Sequence, residues 1–179
     1  MWRLFAVLVI SASVLACGGG VTGGPSADPV AAVTNVVNAL KAKSLQLLPS
    51  MYCAGHSTPF DSLGSVAALV PGLTVDAYVA PVTFNVTNFT ATLYNQTGNE
   101  ANVSVTGTLD FTVDAARARD LVRTVFQAQG VATDEASLNS GVVDYQSNWS
   151  GSHPISRVGS VHTVKEANGW VVCDALLDS

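Results

Sequence analysis

The segment Val82–Val113, VTFNVTNFTATLYNQTGNEANVSVTGTLDFTV, decides the fold, because apolar and polar residues alternate along most of it. In its second half the apolar residues are Ala101, Val103, Val105, Leu109, Phe111 and Val113. A period of two places these side chains on one face of a strand, which is typical of a half-buried sheet. The segment therefore predicts two long strands, and the Gly98-containing stretch Asn95–Asn99 joins them as a hairpin.

The alternation is interrupted in the first strand, where the apolar phase shifts by one residue between Val86 and Phe89. An extra residue in one strand of an antiparallel pair produces such a shift, and the resulting β-bulge bends the sheet. We therefore expect a bulge near Thr87-Asn88. Gly107, in the second strand, indicates another bend. Together these features predict a curved antiparallel sheet.

Helical patterns lie on both sides of the predicted strands. Asp28-Pro29 is suited to begin a helix, and an apolar stripe with three- and four-residue spacing continues from Val30 to Leu47, before Pro49. A second, shorter helix is expected between Thr58-Pro59 and Pro71-Gly72, and a third over Asp114–Gln129, ended by Gly130. Residues 131–152 fit either a short helix or a long loop.

The chain closes with Val164-Lys165-Glu166-Ala167-Asn168-Gly169-Trp170-Val171-Val172, in which Asn-Gly between apolar runs predicts a hairpin. N-terminal helices, long bent strands and a final hairpin whose last strand begins with Trp170 resemble the nuclear-transport-factor-2-like family, in the branch found in small bacterial lipoproteins of unknown function. The resemblance covers about residues 28–178. It implies an α+β fold with N-terminal helices packed in a curved antiparallel sheet, forming a cone with a pocket at its open end. We expect one such domain over residues 28–179.

The start of the chain indicates export. Leu4–Leu15 is apolar except for two serines and follows Arg3, as in a signal peptide. It is shorter than the roughly 20 residues that a membrane-spanning helix needs. The sequence Val14-Leu15-Ala16-Cys17 resembles the lipobox of bacterial lipoproteins. That resemblance implies a signal peptide over residues 1–16, a diacylglyceryl group on Cys17 and a flexible tether over residues 17–27. Ordinary cleavage after Ala16, which yields a soluble secreted protein, is the alternative.

Two further cysteines, Cys53 and Cys173, remain if Cys17 is lipidated. In an oxidising extracytoplasmic compartment they are expected to form a disulfide; two buried free thiols are the alternative. We expect no metal site, because no Cys/His pair has ligand spacing.

Composition limits the partners that are compatible with the chain. Of 179 residues 48% are hydrophobic and 12% charged, and the formal net charge is −5. An acidic balance argues against nucleic-acid binding, which depends on basic patches. The expected partners are the membrane, through the lipid anchor, and a protein or small-molecule ligand of unknown identity. No cofactor is expected.

The sequence contains no catalytic motif, and we assign no catalytic residue; none of its three histidines has an obvious Ser/Asp partner. Enzymes with the fold that the chain resembles use a pocket Asp, Tyr or His, and here the residues suited to line such a pocket are Asp76, Tyr78, Asp110, Tyr145 and Trp149. We therefore expect a non-enzymatic, lipid-anchored envelope protein that acts as a binding or interaction module. The alternative is a small extracytoplasmic enzyme or small-molecule carrier that uses the pocket.

Overall fold

The computed structural model describes residues 26–56, 58, 60–68, 70–149, 151–156 and 158–176. Within them five strands form one antiparallel sheet, in the order β1-β2-β4-β5, with β3 also paired to β2. The strands are β1 (Val82–Thr97), β2 (Glu100–Val113), β3 (Ser152–Pro154), β4 (Ser160–Glu166) and β5 (Gly169–Val172). The sheet is strongly curled, so the predicted α+β class with a curved antiparallel sheet is confirmed.

The curl begins at the predicted bulge. The β1–β2 register shifts between Thr87 and Thr90, and Asn88 takes a left-handed φ of 51°. Gly107 lies opposite this bulge with a φ of 140°. A Cβ on Gly107 would lie 3.0 Å from the Phe89 Cα atom, so only glycine fits this close approach of the two strands. A second irregularity, between Leu93 and Asn95, was not predicted.

Helix α1 (Pro29–Lys41) begins as predicted, with Asp28 accepting a hydrogen bond from the Ala31 N–H at 2.8 Å. It ends earlier than Pro49, because the chain turns at Lys43 with a φ of 56° and continues as a 3-10 helix, η1 (Leu45–Ser50). The apolar stripe spans both helices since η1 also buries Leu45 and Leu48. Helix α1 packs against β1, β2, β4 and β5 and thereby fills the curl of the sheet.

Four further helices complete the described chain: α2 (Asp61–Ala68), α3 (Val75–Val79), α4 (Ala115–Ala128) and α5 (Glu135–Asn148). Helices α2 and α4 match the predicted second and third helices, whereas α3 was not predicted. Helix α5 settles the ambiguous segment 131–152 in favour of a helix, and a long one. None of the helices in these described ranges is long and apolar enough to cross a membrane.

The closing hairpin is confirmed, and Glu166 pairs with Gly169 across a two-residue turn. The outer edge of β5 is covered on both sides of Val171. Ser26 exchanges two backbone hydrogen bonds with Trp170, at 2.9 and 2.8 Å, and Val172 bonds to the backbone of Met51 and Cys53. In the described chain β1 and β3 each pair with β2 alone, so each is left without a strand partner on one side.

Candidate functional site

Three of the five predicted pocket residues lie together on the concave side of the sheet. Tyr78 comes from α3, Tyr145 from the last turn of α5, and Trp149 caps that helix. The Tyr78 and Tyr145 ring centroids are 5.5 Å apart, and those of Tyr145 and Trp149 are 6.4 Å apart. The Tyr145 hydroxyl donates a 2.6 Å hydrogen bond to the Tyr78 backbone carbonyl, which fastens α5 to α3.

These residues continue into the sheet through Phe84 and Phe111, which face each other across β1 and β2. Trp149 contacts both rings edge-on, with centroid separations of 5.9 and 5.6 Å. Such edge-to-face pairs add about 0.5–1.5 kcal/mol beyond the area they bury. We call Tyr78, Phe84, Phe111, Tyr145 and Trp149 the aromatic cluster. Phe84, Tyr145 and Trp149 are buried, so the cluster closes this part of the concave side with packed rings.

The two hydroxyl groups of the aromatic cluster are poorly suited to take up a proton. Burial raises the pKa of Tyr145 well above its ordinary value, and the neighbouring Tyr78 raises it further, against a smaller opposing effect of Trp149. Burial also raises the pKa of Tyr78. Both phenols are therefore protonated near neutral pH, where a general base must be unprotonated.

The structure does not bring the two predicted carboxylates into the aromatic cluster. Asp76 is exposed in the first turn of α3. Asp110 alternates along β2 with Leu109 and Phe111, which face inward, so its side chain lies on the opposite face of the sheet. The five residues therefore divide into a packed aromatic group and two separate acidic residues.

The predicted cysteine pair lies where the N-terminal helices meet β5. Cys53 and Cys173 are at disulfide distance, with Cα atoms 5.0 Å apart and 120 positions between them in the chain. Beside them the Tyr52 and His56 rings stack with centroids 5.4 Å apart, and burial raises the pKa of Tyr52. Cys17, the signal peptide at residues 1–16 and the tether up to residue 25 lie outside the described residues.

The three histidines lie in different surroundings. The His153 ring contacts Phe111 at 5.4 Å, and His162 lies 3.8 Å from a Glu100 carboxylate oxygen on the outer face. His56 is part of the stack with Tyr52. Among the residues that the structure describes, no three or more His, Cys, Asp and Glu side chains are grouped so as to hold a metal ion.

The convex face of the β1–β2 hairpin has a different character, because almost every outward-facing pair is polar and uncharged. The pairs, which we call the polar ladder, are Thr83–Thr112, Asn85–Asp110, Thr87–Thr108, Thr90–Thr106, Thr92–Ser104 and Asn95–Asn102. Direct side-chain hydrogen bonds join Thr90 to Thr106 at 2.7 Å and Asn102 to Asn95 at 2.9 Å. Asp110 is its only acidic residue.

The sequence contained the signal for this surface. The polar residues that alternate with the buried ones in Val82–Val113 are nearly all Thr, Asn and Ser, a composition that charge-rich solvent-exposed strands do not have. Alternation locates the buried face, and the Thr, Asn and Ser residues between the buried ones account for the low fraction of charged residues.

Comparisons of the chain with protein-family models, with curated proteins and with solved structures found no match.

Proposed function

We propose that the chain is an extracytoplasmic, lipid-anchored envelope protein whose folded part is a non-enzymatic binding or interaction module. The observation that carries this proposal is the contrast between the two sides of the β1–β2 hairpin. The inner side is closed by the buried aromatic cluster, whereas the outer side presents the polar ladder. Buried rings stabilise a fold, and exposed hydroxyl and amide groups are available to a partner.

The cysteine arrangement supports the extracytoplasmic part of the proposal. Cys53 and Cys173 are separated by 120 positions and still lie at disulfide distance. Disulfides persist in oxidising compartments and are rare where glutathione and thioredoxin keep thiols reduced. The lipobox-like residues ending at Cys17, with the glycine-rich segment after it, fit an anchor and a tether.

The placement of α1 supports a nuclear-transport-factor-2-like cone. This helix packs against four strands of the curled sheet, as the first helix does in that fold. The competing function, an enzyme or carrier with a ligand inside the cone, requires a polar or reactive group at its inner side. Neither predicted carboxylate is there, and the cluster's tyrosines have a raised pKa.

Metabolic labelling tests the anchor. Bacteria that produce the chain are grown with a palmitate analogue, with and without globomycin, which blocks the lipoprotein signal peptidase. The wild type should be labelled and should accumulate as the uncleaved, labelled precursor with globomycin. The Cys17→Ser variant should carry no label, while a Ser13→Ala variant, changed within the apolar run, should behave as the wild type. An unlabelled, cleaved wild-type chain would mean plain secretion and would refute the anchor.

A further inference from the structure

A groove of about 490 Å³ lies on the outer face where the polar ladder ends. It is lined by Tyr94, Asn102, Ser104, Val158, Gly159 and Ser160. Its volume lies within the roughly 300–1,000 Å³ of small-molecule sites. Three strands and one loop contribute to it, so it belongs to the folded framework.

Tyr94 lies at the irregularity between Leu93 and Asn95. Leu93 pairs with Val103 and Asn95 with Asn102, so Tyr94 is the extra residue of a bulge. Alternation with Thr90 and Thr92 places Tyr94 on the outer face, and the bulge brings Asn95 to that face as well. Tyr94 is 74% exposed, whereas Tyr52, Tyr78 and Tyr145 are all at least half buried. The exposed Tyr94 ring is therefore available to stack on a ligand.

The opposite wall is held firmly in place. Gly159, just before β4, accepts a 2.9 Å backbone hydrogen bond from the Val105 N–H, and Ser104 pairs with Ser160 across β2 and β4. Val158 beside it is 82% exposed. The Asn102 amide is oriented by its hydrogen bond to Asn95 and keeps donor and acceptor capacity beyond that bond.

The described residues that line the groove carry no charge. On the same outer face the Glu100 carboxylate lies 3.8 Å from the His162 ring, and His162 pairs with Asn102 across β2 and β4. Within the described residues the groove thus combines an aromatic ring, an aliphatic side chain, an amide and two hydroxyls.

That combination matches the chemistry of a neutral sugar. A pyranose has an apolar face of C–H groups, which stacks on an aromatic ring, and a rim of hydroxyls, which both donate and accept hydrogen bonds. A charged ligand would find no counter-charge among these described residues, and an apolar peptide would leave the amide and hydroxyls without partners, which is unfavourable.

We propose that the groove between Tyr94 and Ser160 is a binding subsite for an uncharged oligosaccharide. Tyr94 stacks on a sugar ring, while Asn102, Ser104 and Ser160 bind its hydroxyls. The inference rests on the proposed function, because it names the ligand class of that interaction module. The polar ladder extends the site along the hairpin, so a chain of several sugars is a better ligand than a monosaccharide.

Titration calorimetry on the purified full chain tests the site with four probes. Three are neutral hexasaccharides of glucose, mannose and N-acetylglucosamine with β-1,4 linkages, and the fourth is a hexamer of galacturonic acid. At least one neutral probe should bind with a Kd in the millimolar range or below, and the acidic probe about tenfold more weakly. Tyr94→Ala should weaken binding about tenfold, since the ring contributes the stacking surface. Tyr94→Phe keeps the ring and should bind within about threefold of the wild type.

The matched control is Val143→Ala, an exposed apolar residue on α5, which should leave binding unchanged. Urea unfolding of every variant establishes that each one folds, as expected for substitutions at exposed positions. Three results would overturn the inference: no neutral probe binds, Tyr94→Ala binds as well as the wild type, or Tyr94→Ala changes only self-association in sedimentation. The lipid labelling of Cys17 is independent of all three, so failure of the subsite and failure of the anchor are distinguishable.

Discussion

Removal of the Cys53–Cys173 pair should destabilise the protein more than any other pair of substitutions of similar size. The loop between them spans 120 positions. Closing a loop of that length lowers the entropy of the unfolded chain by an amount equivalent to about 5 kcal/mol at 25 °C. The backbone hydrogen bonds of Val172 to Met51 and Cys53 hold the same segments together in the folded state, so the folded geometry should survive the substitution.

Urea unfolding followed by circular dichroism measures this effect. The comparison is between Cys17→Ser, which leaves the pair as the only cysteines, and the same chain with Cys53→Ala and Cys173→Ala added. With a slope of about 2 kcal/mol per molar urea, the midpoint should fall by about 2.5 M. Reductant should produce a similar fall in the first protein and none in the second. A midpoint that moves by less than about 0.5 M in both comparisons would refute a bond that constrains the unfolded chain.

Three further predictions concern the free energy of unfolding. Gly141→Ala should destabilise the folded protein by about 1–3 kcal/mol, because the added Cβ would lie 2.6 Å from Val122 Cγ1. Gly64→Ala, with open space around it, should stabilise the protein by up to about 1 kcal/mol. Equal urea midpoints for the two variants would contradict this. Tyr145→Phe should cost about 1 kcal/mol in the same assay, since the Tyr78 carbonyl loses its donor, and an unchanged midpoint would mean that the bond contributes nothing. Burial raises the pKa of Tyr52 and Tyr145 above the ordinary value of 10.0, so these phenols ionise at lower pH in the unfolded chain than in the folded one. The free energy of unfolding should therefore be constant below about pH 10 and fall above it, less steeply in Tyr52→Phe. A profile that stays flat to about pH 12 would be inconsistent with this.

Local signals were sufficient for much of the sheet. The phase shift between Val86 and Phe89 located the first bulge, and Asn168-Gly169 located the last hairpin, because both features are determined by neighbouring residues. The end of α1 was misplaced since the apolar stripe continues through a left-handed turn at Lys43. The apolar stripe indicates which residues are buried in the common core, and it continues unchanged where the helix breaks.

The packing of helix α5 explains why its sequence fits both a helix and a loop. Its inward positions are Leu138, Gly141, Val142, Tyr145 and Trp149, and the glycine among them has the character of a helix breaker in sequence. In the structure the missing side chain lets α4 approach α5, with Phe126 Cζ only 2.8 Å from the position of a Cβ. Only a three-dimensional neighbour reveals that role.

The candidate site was less predictable than the fold. Alternation with Leu109 and Phe111 already places Asp110 on the outer face, so that residue was assignable to its side of the sheet. Tyr78 and Asp76 depend on α3, a five-residue helix without a recognised pattern. Alternation with Thr90 and Thr92 already places Tyr94 on the outer face, but the groove also depends on a loop 65 residues later in the chain, at Gly159.

The central claim is that the chain binds its ligand on the outer face of the β1–β2 hairpin and not inside the curled sheet. A nitrogen–proton NMR shift map, recorded while the best neutral hexasaccharide is added, tests this most directly. The account predicts shifts centred on Tyr94, the Asn102 side-chain amide and Gly159, with the buried indole N–H of Trp149 unmoved. Shifts centred on Trp149 and its aromatic neighbours, with Tyr94 unaffected, would contradict it and place the ligand inside the fold.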